Sequence, residues 1–194
     1  MKKNAYRIFL TLSLFFFFGF QSEAQRLLKG SMSIAGAGGV NIYSRDVVKS
    51  NFYSEVDYGY FLGNGHYIDV GARFTQTSLK MKSDFDVPVN QYALKSNFNL
   101  LLLNDLSATY NWYVSAGIVL GYDRMNYDGE VLEDGTIPQK KESFAYGGNL
   151  STHLDVYLTN RWILYGKVGT FLLGGSLLST KLQPYAGVGI KIIL

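Results

Sequence analysis

Cysteine is absent from the 194 residues, proline occurs three times and histidine twice. Without cysteine there is no disulfide, no thiolate chemistry, no Cys-ligated metal and no lipidated cysteine to tether the chain. Charge is scarce too, at 17% of positions, which excludes a disordered polyelectrolyte tail and a protein that coats nucleic acid. After residue 25 no run of 18 consecutive apolar residues occurs, so no helical membrane span is expected there. Gly-rich phosphate cradles and His-x-x-x-His pairs are missing, and no cofactor, resident metal or small-molecule substrate is expected.

What is present is apolar and aromatic: 47% hydrophobic, 15% aromatic, 21 glycines and 15 tyrosines. Glycine is costly inside helices and tyrosine suits pleated surfaces, so the composition favours many strands and an all-β chain.

The first residues read as a removable leader. Lys2, Lys3 and Arg7 precede an apolar run from Ile8 to Phe20, and Ser22 and Ala24 are the small residues a signal peptidase reads. The run is about 13 residues, short of the roughly 20 that a spanning helix needs. Cleavage is expected after Ala24, with residues 1–24 as the secretory leader and 25–194 as one barrel domain. Removing the leader takes three bases and one acid from 18 and 15, leaving 15 Lys+Arg against 14 Asp+Glu. A balance of +1 provides no long-range field for DNA, and direct nucleic-acid binding is not expected.

Eight windows alternate with the two-residue period of a strand: 31–42, 50–61, 67–80, 90–102, 109–122, 143–158, 162–172 and 182–194. Each is long enough to cross a bilayer as a tilted strand. Even positions form the apolar face, as in Val56, Tyr58 and Tyr60, in Val70, Ala72 and Phe74, in Leu94 and Phe98, in Ile118 and Leu120, and in Val188 and Ile190. Odd positions hold the strand charges Glu55, Asp57, Asp69, Arg73, Lys95, Asp155, Lys167 and Lys191, together with His153.

A soluble barrel with an apolar interior and a membrane barrel with an apolar exterior share this alternation. The polar face decides between them. Eight charges over eight strands are too few for a soluble exterior, and small residues such as Ser33, Ala35, Gly117, Gly147 and Gly189 suit a cramped lumen. The expectation is an antiparallel, up-and-down, eight-stranded transmembrane β-barrel of outer-membrane type, exported across the inner membrane and in contact with outer-membrane lipids. Tight connections after the second, fourth and sixth windows, against longer ones elsewhere, fit both termini on one side. Tyr67, Tyr110, Trp112, Tyr122, Tyr146 and Trp162 are expected at the lipid headgroups.

For the odd face three readings compete. An eight-stranded barrel is wide enough only for its own side chains, which disfavours a conducting pore. Unpaired buried ions are very costly, so Glu55, Asp57, Asp69, Arg73, Lys95, His153, Asp155, Lys167 and Lys191 are expected to form a self-neutralising lumen network. Ser151, His153 and Asp155 share one face and suggest a lipid-modifying enzyme. Same-strand neighbours diverge, however, and no nucleophile elbow supplies an oxyanion hole, so no catalytic residue is assigned.

The connection from Asp123 to Glu142 is the longest. It carries Asp123, Arg124, Asp128, Glu130, Glu133 and Asp134, and two readings stand for it: a solvated loop or a surface for partner proteins. A calcium loop needs acids at alternate positions, and Met125 occupies the second.

Four stretches carry a family resemblance: EVDYGYFLGNGHYIDVGARFT (55–75), GYDRMNYDGEVLEDGTIPQKKESFAYGG (121–148), YLTNRW (157–162) and QPYAGVGIKIIL (183–194). Through them the mature chain resembles the TraO family of Bacteroides-type conjugative transposons. The resemblance implies a non-enzymatic component of the envelope apparatus that passes DNA between bacteria, with other conjugation-apparatus proteins as partners. It transfers no catalytic or binding residues. The alternatives are a general small outer-membrane protein, as adhesin or narrow pore, and the enzyme above.

Overall fold

The computed structural model describes residues 29–42, 47–80, 86–105, 109–125, 142–178 and 181–194. The expected leader lies outside them. Every regular element among them is a strand: β1 (Met32–Asn41), β2 (Val47–Gly63), β3 (His66–Lys80), β4 (Asp86–Asn104), β5 (Tyr110–Met125), β6 (Glu142–Tyr157), β7 (Trp162–Gly174) and β8 (Leu182–Ile193). Each pairs antiparallel with its neighbours in sequence, and β8 closes onto β1.

The register sets the shape. From Met32, directly opposed residues run through Tyr60, Ile68, Phe98, Ala116, Leu150, Thr170 and Pro184. The circuit returns to β1 at Ile42, whose amide donates to the Pro184 carbonyl, ten residues beyond the start. With strands about 4.8 Å apart and about 3.3 Å per residue, that stagger tilts the strands by about 40° and gives a radius of about 8 Å.

The wall is inside out relative to a soluble barrel. Ile118 and Val188 are 68% and 67% exposed, whereas Glu55 and Lys95 are 3% and 2% exposed. Among the described side chains parity holds through the body of the wall, and a bulge between Leu101 and Leu103 turns Leu103 outward, because one extra residue flips the later side chains of that strand. Outward aromatics mark both rims of the apolar band, among them Trp112 and Tyr110 at one end of β5 and Tyr122 at the other. Ten residues from Trp112 to Tyr122 span about 25 Å at this tilt, the usual height of a hydrocarbon-facing band. Tyr67 departs from the expectation. It sits at an odd position and points into the lumen, only 4% exposed.

Strands run further than the periodic windows. β4 begins at Asp86 and carries Pro88, both of which fall between the periodic windows 67–80 and 90–102. Above Val89 this strand pairs only with β3, so the missing proline N–H breaks no ladder on its open side. The tight turn after β2 is Asn64-Gly65, with φ of 53° and 78°, a left-handed pair that asparagine and glycine tolerate. Connections at the two ends differ less than expected, since 42–46, 81–85 and 105–109 are all five residues. The long intervals, 126–141 and 175–181, still lie at the end away from the chain termini.

Inward glycines make room for large rings. A Cβ on Gly189 would lie 2.6 Å from both the Gly36 carbonyl oxygen and Cζ of Tyr165, whereas one on outward Gly166 would meet nothing within 4 Å. Gly189→Ala is therefore expected to slow or block barrel formation, and Gly166→Ala to leave it unchanged. Heat-modifiable gel mobility after refolding reads the difference. Equal behaviour of the two variants would contradict the close packing of β1, β7 and β8.

Candidate functional site

Among the described residues polar side chains concentrate in the lumen, where nearly all of them are buried. Alternation on β2, β3, β4 and β7 brings Glu55, Asp57, Arg73, Lys95 and Lys167 to a common centre. Lys95 Nζ donates to Glu55 Oε2 at 2.8 Å and to Asp57 Oδ2 at 3.0 Å. Lys167 Nζ donates to Glu55 Oε1 at 3.2 Å, and Arg73 Nη1 lies 3.6 Å from Glu55 Oε2. Glu55 thus faces three cations.

Arg73 is held on every side. Its Nη2 donates to Asn41 Oδ1 at 2.6 Å and its Nε to Thr75 Oγ1 at 3.3 Å. Its guanidinium carbon stands 3.6 Å from the Tyr53 ring centre, 4.2 Å from that of Tyr185 and 4.6 Å from that of Phe171. A desolvated guanidinium against three ring faces is a strong cation–π arrangement.

A second network crosses the lumen. Tyr185 donates to Asn149, Asn149 to Asn97, and Asn97 and Asn99 each to Asp69, over 2.7–2.9 Å. Ser115 donates to Asn99 at 2.5 Å and lies 3.4 Å from His153 Nδ1. The Tyr67 hydroxyl meets His153 Nε2 at 2.8 Å and accepts from Lys191, which also donates to Asp155 at 2.6 Å. Most buried polar groups are bonded to one another in folded proteins, and here one continuous chain of bonds links Tyr185 to Asp155.

Asp69 differs from the expectation of mutual ion pairing. Among the described residues its partners are two asparagine amides, not a cation. Asn97, Asn99, Ser115 and Asn149 were not singled out as site residues, although their odd numbers on charge-bearing faces were the available signal.

The Ser151, His153 and Asp155 series forms no relay. Among the described residues the Ser151 hydroxyl has no hydrogen-bond partner, the His153 ring is engaged by Tyr67 and Ser115, and Asp155 Oδ1 lies 3.8 Å from His153 Nε2 while its other oxygen takes Lys191. A nucleophile–base pair needs about 2.6–3.2 Å. Among the described residues no group of three His, Cys, Asp or Glu could hold a metal ion.

Both mouths are closed by apolar side chains. Phe61, Tyr67, Tyr113, Tyr157, Ile163 and Ile193 form one plug near the termini. At the other end Val89, Met125 and Leu178 cluster, with Leu177 against them. Asp123, counted above with the long connection, instead belongs to β5 and is fully buried. It accepts from Gln91 at 2.8 Å, from Ser176 at 2.5 Å and from the Leu177 amide at 2.9 Å, pinning the β7–β8 connection across the mouth. Arg124 points outward and pairs with Glu142 at 3.7 Å, both half exposed. Asp128, Glu130, Glu133 and Asp134 lie outside the described residues.

A cavity of about 20 Å³ inside the barrel is lined by Asp57, Tyr67, His153, Lys167 and Lys191 among others. That is room for one or two waters.

The family model of the conjugative transposon protein TraO matches residues 28–194. The chain belongs to that family. The first and last of the four family-like stretches contain Glu55, Asp57, Asp69, Arg73 and Lys191, so they build much of the lumen network. No curated protein matches the chain. Solved structures similar to it include the N-terminal β-barrel domain of Pseudomonas aeruginosa OprF, at 16% identity and TM-score 0.50, covering 86% of this chain and 98% of that one. Neisserial surface protein A matches at 11% identity and TM-score 0.52, over 84% of this chain and 96% of that one. Ail, the attachment invasion locus protein of Yersinia pestis, matches at 11% identity and TM-score 0.52, over 86% and 100%. At these identities the likeness is one of fold, that of eight-stranded outer-membrane barrels.

Proposed function

We propose that this protein is a non-enzymatic barrel of the outer membrane that serves the apparatus by which conjugative transposons pass DNA between cells. The observation that carries the reading is membership of the TraO family over residues 28–194 by a chain whose barrel turns its apolar face outward. A lumen plugged at both ends supports a scaffolding or docking role in the envelope over that of a conduit for DNA. Other proteins of the apparatus are the proposed partners, with the acidic connection beyond Arg124 as the contact segment. Export by a leader cleaved after Ala24 is part of the same proposal, and N-terminal sequencing of the mature protein should begin at Gln25.

An in-frame deletion tests the role. Transfer frequency is expected to fall to background and to return when the gene is supplied in trans; unchanged transfer overturns the proposal. Gradient fractionation and heat-modifiable mobility check the location. The packed lumen carries a further expectation. In planar bilayers the purified barrel should show no steady ion conductance, since an eight-stranded barrel filled by its own side chains leaves no continuous water path. Reproducible open channels would restore the narrow-pore alternative.

A further inference from the structure

The outer wall is not uniformly convex. Between β2 and β6, toward the long-connection end, lies a groove of about 710 Å³. Its outward side chains include the exposed Tyr92, Leu94, Leu120 and Tyr146 and the half-buried Phe74 and Tyr122, with short Ser54 and Ala72 among them. On the lumen side of the same strands stand Ala93, Gly121 and Ala145, small residues that let the wall lie close to the core. The rings bank against one another: Phe74 and Tyr92 have centroids 5.3 Å apart, as do Tyr122 and Phe144. On the other face of the barrel outward positions near that end are Thr170, Leu172, Leu182, Pro184 and Val40, with no aromatic side chain among them.

We propose that this groove is a binding site for the outer-leaflet glycolipid, holding an acyl chain of lipid A beside β3–β6 with a lipid phosphate at Arg124. The inference rests on the outer-membrane reading above. Three observations support it. The groove belongs to the apolar band, which in a bilayer meets acyl chains and not water. Its volume falls in the range of small-ligand sites, about 300–1,000 Å³. Arg124 stands on the outward face of β5 two residues beyond Tyr122, where the band ends. Its half-exposed contact with Glu142 is long, and a lipid phosphate offers the guanidinium the stronger, bidentate partner. Tyrosine hydroxyls at Tyr92, Tyr122 and Tyr146 suit the same headgroup level.

Native mass spectrometry of the full mature barrel, released from detergent after incubation with hexa-acylated lipid A or with phosphatidylethanolamine, tests the proposal. The wild-type protein should retain one lipid A. Ala72→Phe, which fills the groove, should lower retention at least about tenfold, the effect of unburying about two methylenes. Gly166→Phe on the opposite face should leave it unchanged, and Arg124→Ala should weaken lipid A without altering the fold. Heat-modifiable mobility verifies that each variant is a barrel; should Ala72→Phe fail there, Arg124→Ala and Ser54→Leu carry the test. Equal retention of phosphatidylethanolamine, or lipid A retention unaffected by groove variants that fold, overturns the site. Fractionation away from the outer membrane would instead overturn the location on which it rests.

Discussion

Glu55→Gln is expected to destabilise the barrel by about 3–5 kcal/mol, the cost of breaking a buried ion pair by removing one partner. The carboxylate is fully enclosed and neutralises Lys95 and Lys167 directly, with Arg73 beside it. Glutamine keeps the size but leaves three cations around Asp57 alone, in a space where water cannot screen them. Urea titration of refolded barrel in lipid vesicles, followed by heat-modifiable mobility, measures the loss. A second substitution, Lys95→Met, should recover part of it, because a neighbour's excess charge then disappears and the two effects are not additive. A loss under about 1 kcal/mol in Glu55→Gln would mean that the network is ornamental to stability.

Ile118→Arg is the complementary change on the outside. Ile118 is 68% exposed, and at such a site in a soluble protein a substitution usually costs within about 0.5 kcal/mol. Ile118 lies between Trp112 and Tyr122, near the middle of the band. An arginine near a bilayer midplane costs about 2–4 kcal/mol, and near an interface about 0–1. Ile118→Arg should therefore destabilise the vesicle-embedded barrel by the larger amount, and Val40→Arg, at the end of β1, by the smaller. Equal, small effects would point to a wall that faces water.

The two substitutions separate the kinds of information in this chain. Strand count and strand order along the chain were legible from the period of two, and the side of the wall most residues face followed once the scarcity of charge on the polar face had decided between a soluble and a membrane barrel. A half-buried strand must repeat that period, and the residues that break it, Leu101 to Leu103, sit at a bulge that no periodic pattern announces. Strand ends were less legible. Asp86–Pro88 falls between the periodic windows, and only the one-sided pairing of β4 makes it compatible with a ladder. Tyr67 was misplaced because aromatic residues near strand ends serve lipid and lumen equally well, and its odd number was the deciding sign. Asp123 was misplaced because acidity next to a long connection resembles a solvated loop until Gln91, Ser176 and the Leu177 amide converge on it.

Family membership was also within reach of the linear chain, since the stretches at 55–75 and 183–194 keep their identity without coordinates. Pairing was not. Which cation meets which carboxylate depends on the ten-residue stagger around the barrel, which carries Lys167 of β7 to Glu55 of β2 across the lumen. That Asp69 takes two asparagines and that Arg73 is caged by three rings depend on the same register. Alternation along a strand is a local property, written residue by residue. The stagger is a closure condition on all eight strands together, so only the assembled barrel decides it.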